Sequence, residues 1–360
     1  MTVIGIGGCT ALIVTGFGLH NSIFEILDKQ FDELFLYDAT VGFEDDAAPE
    51  EVQAAFAYLD SAKDVDRWIS CYSDMIDTSG EVVVENSVNV FAVETPETLE
   101  NFIELRHRLS EEPVTFTGGG VLITEKLSER LDLQVGDMIT LDGSRRVEVP
   151  IIDIVENYVQ HYIYMTKDYY EETFQEPVED NAILLAYREE VGNVSDVIST
   201  EMMAMDGIAT YSHIAALRDT FTDSMVSIDY AVIIVILSAA VLAFVVLYNL
   251  TNINITERTR ELATLKVLGF YDGETSAYVY RENVFLTFFG ILMGLVMGRY
   301  LHSWLILTVE VNYVMFGRTA PVYAYVYAAI LTVVFSMIVN VAAHFKLKKV
   351  DMVESLKTVE

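Results

Sequence analysis

The chain has 360 residues, 52% of them hydrophobic, and a formal net charge of −32. A mean hydropathy of +0.34 is too apolar for a soluble two-domain protein of this acidity, and the negative balance argues against nucleic acid, whose phosphates would be repelled. The two properties are segregated: residues 20–223 hold 44 Asp and Glu against 12 Lys and Arg, while the remainder holds 10 of each, so one acidic, water-facing domain is joined to a neutral membrane portion.

Residues 2–19, TVIGIGGCTALIVTGFGL, form an uncharged apolar run of 18. At ~1.5 Å per residue this just reaches the hydrocarbon thickness of a bilayer, roughly 30 Å. No Lys or Arg precedes the run, as a secretory signal would require. Gly5, Gly8 and Gly16 suit close helix packing better than a cleavage site, so a transmembrane helix over 1–19 is expected.

Residues 20–223 read as a mixed α/β domain. Asn21–Leu36 continues the first helix. Pro49–Lys63 has helical composition, with Val52, Ala55, Phe56 and Leu59 on one face. Glu81–Val93 alternates enough for one or two strands. Thr95-Pro96 opens a helix expected to run through Leu109. Strands are expected at Val121–Thr124, Asp137–Leu141, Val147–Val155, Tyr162–Met165 and Ala182–Tyr187. Helices are expected at Glu125–Leu131 and Gly192–Met205. About 200 residues suffice for a core of their own.

Residues 230–250, YAVIIVILSAAVLAFVVLYNL, carry no charge over 21 positions and form the clearest span. Further spans are expected at about 284–304 and 321–345. Arg299 would cost roughly 2.5–3.5 kcal/mol at mid-bilayer, but it can snorkel to the interface beside Tyr300 and Trp304. The connector 251–282 carries Arg258, Arg260, Lys266 and Arg281, and the tail carries Lys346, Lys348, Lys349 and Lys357. Both should be cytoplasmic by the positive-inside rule. The short loop 308–320 should be outside, and so should residues 20–223. The fold class is thus a membrane protein of four transmembrane α-helices with one large extracytoplasmic mixed α/β domain, in the cell membrane.

Several chemistries lack support. The run Gly118-Gly119-Gly120 is followed by Val121 and Leu122, and no GxxxxGK[ST] phosphate loop occurs. The six histidines show neither HExxH nor a paired metal spacing, and no GxSxG elbow is present. Cys9 and Cys71 fall in different portions of the chain, with no metal-spaced or disulfide pattern. Glu44-Asp45-Asp46 reads as a solvated acidic loop rather than a cation site. Met202, Met203 and Met205 read as a packing face rather than a soft-metal site. No acidic residue lies near the middle of a span, which weighs against proton- or sodium-coupled transport.

The stretch Glu257–Gly269, ERTRELATLKVLG, sits between two apolar runs. Ile255, Leu262, Leu265, Lys266 and Gly269 share one side at helical spacing, while Glu257, Arg258, Arg260 and Glu261 fall largely elsewhere. Such a helix can lie at a membrane surface and present charges to a partner; a connector that only sets topology would look the same. Farther on, Gly290, Gly294 and Gly298 recur every four residues, placing a groove for another helix on one face of the third span.

The order ERTRELATLKVLGF, then Glu282, then Gly290, Gly294 and Gly298, resembles the pattern of FtsX/MacB-type ABC transporter permeases over roughly residues 225–356. VLITEKLSERLDLQVGDMITL is similar, more weakly, to the extracytoplasmic domain of MacB-like members. The resemblance implies a permease subunit without cofactor or catalytic residues of its own, working with an ABC ATPase subunit that binds the ATP. It implies that Glu257, Arg258, Arg260, Glu261 and Lys266 dock that ATPase, with Gly269 capping the coupling helix. A second permease unit, as homodimer or pseudo-dimer, is expected as a further partner, since four spans are too few for a pathway. Export of peptides, antibiotics or lipoprotein-like substrates is the implied work. Members usually carry a basic segment ahead of the first span, so the missing one suggests a truncated frame or half of a longer permease. The alternative is a membrane-anchored extracytoplasmic sensor or binding protein without ATP coupling.

Overall fold

The structure is a computed structural model and describes residues 2–80, 84–116, 118–188, 194–257, 261, 264, 268–269 and 271–348. The chain divides into two compact units. A helical unit contains residues 1–24, 225–309 and 317–360, and an α/β unit contains residues 25–224 together with 310–316. The short stretch between the third and fourth spans, read from sequence as a loop, is therefore part of the α/β unit.

In the α/β unit, strands β1 (Ala39–Phe43), β2 (Val65–Ser79), β3 (Val84–Val93), β4 (Val121–Thr124), β5 (Met138–Asp142), β6 (Arg146–Val155), β7 (Tyr162–Thr166), β8 (Ala182–Tyr187) and β9 (Ile208–His213) form one sheet. Its order is β3-β7-β4-β6-β5-β2-β8-β1-β9, with β3 also paired to β2. The long β2 is the hinge of this arrangement. Its first half, Val65–Cys71, pairs antiparallel with β8. Its second half, Tyr72–Ser79, pairs with β3, and Asp77–Ser79 also pairs with β5. The circuit β2-β3-β7-β4-β6-β5 thereby returns on itself as a small six-stranded barrel, which leaves those strands without free edges. The other lobe is the antiparallel sheet β2-β8-β1-β9.

Helices α2 (Pro49–Ser61) and α6 (Val194–Met203) cover that second sheet. Ala55, Leu59, Ile198 and Met202 from the helices join Ala39, Val41, Ile183 and Leu185 from the strands in one buried cluster. Pro49 opens α2 where its missing N–H costs nothing, and the Glu51 carboxylate accepts the Ala48 N–H at 2.8 Å. Met202 and Met205 pack against this core, whereas Met203 is exposed. Helix α3 is the short Pro96–Leu99; α4 (Glu125–Leu131) and α5 (Lys167–Phe174) flank the barrel strands.

The helix expected from Thr95 through Leu109 is a correction, since it stops at Leu99. Beyond it, Phe102 and Ile103 are buried, and the Leu36 N–H donates to the Phe102 carbonyl at 2.8 Å. An isolated bridge pairs Phe35 with Ile103 and another pairs Arg106 with Pro113. The apolar residues fill the core from turns and single bridges, so their helix-like spacing reflects burial without a helix.

In the helical unit, α1 (Thr2–Asp28) is followed directly by a π-helical turn, Lys29–Leu34, that belongs to the α/β unit. Helices α7 (Ile214–Glu257), whose residues up to Ser224 belong to the α/β unit, α8 (Asp272–Val309) and α9 (Val322–Lys348) complete it. Among the described residues, four stretches are long and apolar enough to cross a membrane: Val3–Leu34, Val232–Ile253, Asn283–Val309 and Val322–Ala342. At 44 residues, α7 is about 66 Å long at 1.5 Å per residue, roughly twice the bilayer core. The 21-residue uncharged run marks the apolar part of a helix that starts well before it.

Candidate coupling site and helix-packing groove

Helix α1 touches each of the other three helices. Its Cys9, Ile13 and Val14 are buried with Ala239 and Ala243 of α7 and Ala328 of α9. Small residues allow these approaches: a Cβ built on Gly16 would lie 2.5 Å from Ile236 Cγ1, and one on Gly5 would lie 3.0 Å from Leu250 Cδ1. Since position 16 meets 236 and position 5 meets 250, α1 and α7 run antiparallel.

Gly290, Gly294 and Gly298 of α8 all face α1. A Cβ on Gly290 would fall 2.6 Å from Ile6 Cγ2, one on Gly294 2.5 Å from Thr10 Cβ and 2.7 Å from the Gly7 carbonyl, and one on Gly298 2.7 Å from Val14 Cβ. Ile6, Thr10 and Val14 are themselves spaced by four, so two matching stripes run side by side. Dispersion and close backbone approach hold such pairs where lipid removes the hydrophobic driving force.

Polar pairs add hydrogen bonds inside this unit. Thr10 and Thr332 hydroxyls lie 3.1 Å apart, joining α1 to α9. Thr287 and Ser336 are 3.0 Å apart, and Asn283 Nδ2 donates to Asn340 Oδ1 at 3.0 Å, joining α8 to α9. His302 Nε2 lies 3.1 Å from Ser22 Oγ. Side-chain hydrogen bonds of this kind contribute about 0.6 kcal/mol each within membranes. Sequence reading found the glycine stripe from its period; the opposing Ile6, Thr10, Val14 stripe and the polar pairs carried no comparable signal, because single Thr, Ser and Asn residues occur throughout the spans.

At the other end of α7, Glu257 is helical and exposed. Glu261 is helical and exposed. The Leu268 N–H donates to the Thr264 carbonyl at 3.0 Å, one helical turn, and Gly269 follows with φ +95°. That left-handed backbone is the geometry by which glycine ends a helix. Two residues later, the Glu274 carboxylate accepts the Tyr271 N–H at 2.9 Å and caps the start of α8. Arg258, Arg260 and Lys266, expected to share docking with Glu257 and Glu261, lie outside the described residues. Glu282 lies within α8. The described residues between the two long helices, Glu261, Thr264, Leu268 and Gly269, are all exposed, as is Glu257 at the end of the α7 range.

Among the described residues, no group of three or more His, Cys, Asp or Glu is placed to hold a metal ion. Cys71 is buried, and burial pushes its thiol up, away from the thiolate that nucleophilic chemistry would need. The α/β unit has a cleft of about 390 Å³ lined by Phe35, Tyr37, Phe91, Tyr162, Asn89 and Asn181, among others.

Residues 2–200 match the MacB-like periplasmic core domain, and residues 233–349 match the FtsX-like permease C-terminal domain. No curated protein sequence matches the chain. Among solved structures, it is similar to the periplasmic region of MacB from Actinobacillus actinomycetemcomitans, at 8% identity and a TM-score of 0.32, over 54% of this chain and 97% of that one. It is also similar to the extracellular domain of the ABC-type transporter YknZ from Gram-positive bacteria, at 10% identity and a TM-score of 0.32, over 49% and 98% of the two chains. With the two family matches in order along it, the chain belongs to the FtsX/MacB-like ABC transporter permease family, as a multi-pass membrane protein with an extracytoplasmic α/β domain.

Proposed function

We propose that this chain couples ATP hydrolysis by a separate ATPase subunit to a shape change of its extracytoplasmic domain, and that Glu257–Gly269 is where the ATPase docks. The observation that carries this reading is the pair of family matches in order, residues 2–200 and then 233–349, with the α7–α8 connector inside the second. ATP is bound and hydrolysed by the partner, and this chain contributes no catalytic residue. A second permease unit, an identical copy or a related half, completes the assembly. The substrate is exported or extruded on the outer side and is of the peptide, antibiotic or lipoprotein-like class.

The mechanism follows from helix mechanics. Closure of an ATPase dimer would push on the exposed acidic positions Glu257 and Glu261 together with the neighbouring Arg258, Arg260 and Lys266. Gly269 decouples that turn from α8, so the push is delivered along α7, an uninterrupted helix of 44 residues. The α1–α8 groove sets how the spans can shift, since residues matched at spacing four can slide by a turn or stay locked. The test is ATP turnover by the purified partner with this chain in lipid nanodiscs. Glu261→Lys should leave the chain folded and remove its effect on turnover; an unchanged effect would withdraw the docking assignment.

A further inference from the structure

The segment Glu310–Phe316 joins α8 to α9, and a plain turn would serve to reverse the chain. Instead it is built into the α/β unit. Val314, Met315 and Phe316 are 1%, 0% and 3% exposed. The Gln160 N–H donates to the Tyr313 carbonyl at 2.8 Å, the Met315 N–H donates to the Tyr158 carbonyl at 2.8 Å, and Val159 and Val314 face each other in an antiparallel bridge. Glu310 is the anchor. Its carboxylate accepts from Lys126 of α4 and, at 2.8 Å, from the Phe316 N–H, closing the segment on itself. The Glu310 side chain is 3% exposed and that of Lys126 11%. Alongside, Arg130 donates to Asn312 at 2.7 Å and to Glu85 at 2.7 Å.

The same short stretch that receives this segment also receives the end of α1. Gln30, in the π-helical turn, accepts the Tyr158 and Val159 N–H groups at 2.7 and 3.1 Å. One turn along, Glu33 and Glu156 share Arg106, each at 2.6 Å, and Tyr158 donates to Glu156 at 2.6 Å. Residues 156–160 are therefore a node, gripped on one side by the chain leaving α1 and on the other by the chain between α8 and α9. Within the α/β unit, the chain that follows α1 and the chain that lies between α8 and α9 thus meet at the same five residues.

We propose that Glu310–Phe316 is a latch, with Lys126 and Glu310 as positioning residues that keep the α8–α9 connector engaged with the 156–160 node throughout the transport cycle. This rests on the coupling reading above. Without the ion pair, α8 and α9 could move while the domain stayed still; with it, their displacement is imposed on the node that also holds α1. A buried pair suits the task because removing one partner strands the other charge away from water, so partial opening is strongly disfavoured.

The test uses the full chain in nanodiscs with its ATPase. Hydrogen exchange comes first and needs no ATP. Glu310→Gln should speed exchange at 313–316 and 157–160 together, by at least about tenfold, and leave β5 and β6 unchanged. The effect of the chain on ATP turnover should fall in the same variant and return in the charge-swapped pair Lys126→Glu with Glu310→Lys. A Val159→Cys, Val314→Cys disulfide should leave that effect intact, because the latch stays shut. Faster exchange with full ATP response would reduce the segment to a packed loop and overturn the proposal. Loss of response on oxidising the cysteine pair, regained on reduction, would also overturn it, since the latch would then have to open. A wild-type chain with no effect on ATP turnover would overturn the coupling reading itself, separately from the exchange result.

Discussion

The glycine groove makes the sharpest energetic prediction. Gly294→Ala adds one methyl whose Cβ would sit 2.5 Å from Thr10 Cβ and 2.7 Å from the Gly7 carbonyl oxygen. Non-bonded carbons prefer about 3.5–4.0 Å, so α1 and α8 must separate by roughly 1 Å. The obstacles are a Cβ and a backbone atom, so no rotamer change relieves them. Overpacking of this kind costs about 1–3 kcal/mol, and the contact geometry argues for the upper half of that range. Alanine recovers about 1 kcal/mol of helix propensity over glycine, leaving a net loss of about 1–2 kcal/mol. Gly8 in α1 is the control, because a Cβ there meets nothing within 4 Å. The propensity gain is shared by both variants, so the difference between them isolates the clash, about 2–3 kcal/mol. The assay is reversible unfolding of the purified chain in mixed micelles, titrated with denaturing detergent. Equal stability of Gly294→Ala and Gly8→Ala would refute the close α1–α8 packing.

Two further predictions concern the ends of the machine. Gly269→Ala places a Cβ on backbone at φ +95° and should cost about 1–2 kcal/mol locally; the surroundings are open, so the unfolding midpoint should barely move while the effect on ATP turnover weakens, less so for Gly269→Asn. His161 lies against the latch cluster. Burial holds its imidazole below the ordinary value; Glu85 opposes this, while Arg130 and Lys126 reinforce it. The unfolded ring takes up its proton as pH falls through about 6.5, whereas the folded ring resists until lower pH. The stability held by the neutral ring is therefore complete above that value and is lost as pH falls below it. Hydrogen exchange at 313–316, corrected for its intrinsic pH dependence, should rise between pH 7.5 and 5.5 in the wild type and stay flat in His161→Gln; parallel profiles would refute the assignment.

The membrane architecture was legible because lipid imposes a coarse demand. A span must exclude charge over about 20 residues, and runs such as 230–250 can mean little else. The glycine stripe was legible for a similar reason, since its period of four survives in one dimension. The α/β unit was harder. Ala182–Tyr187 reads directly as a strand because both its faces are buried. Val65–Ser79 shows no clean alternation, because this strand changes partners halfway, from β8 to β3 and β5, and the side that is covered changes with them. Strands β1 and β9 are short, and their pairing is fixed by partners more than a hundred residues away in sequence for β8 and β9 against β1. The role of Glu310 was invisible for the same reason: a lone carboxylate after an apolar run reads as an interfacial residue until Lys126, 184 positions earlier, is brought beside it.

The central claim is that this permease works through a separate ATPase docked at the α7–α8 connector. The most direct measurement is purification of the tagged chain from its native membrane in mild detergent, after chemical crosslinking, with identification of what accompanies it. The account predicts a stoichiometric ATPase bearing a GxxxxGK[ST] phosphate loop, retained by wild type and lost on Glu261→Lys. A folded, crosslinked wild-type chain recovered without any such ATPase would contradict it.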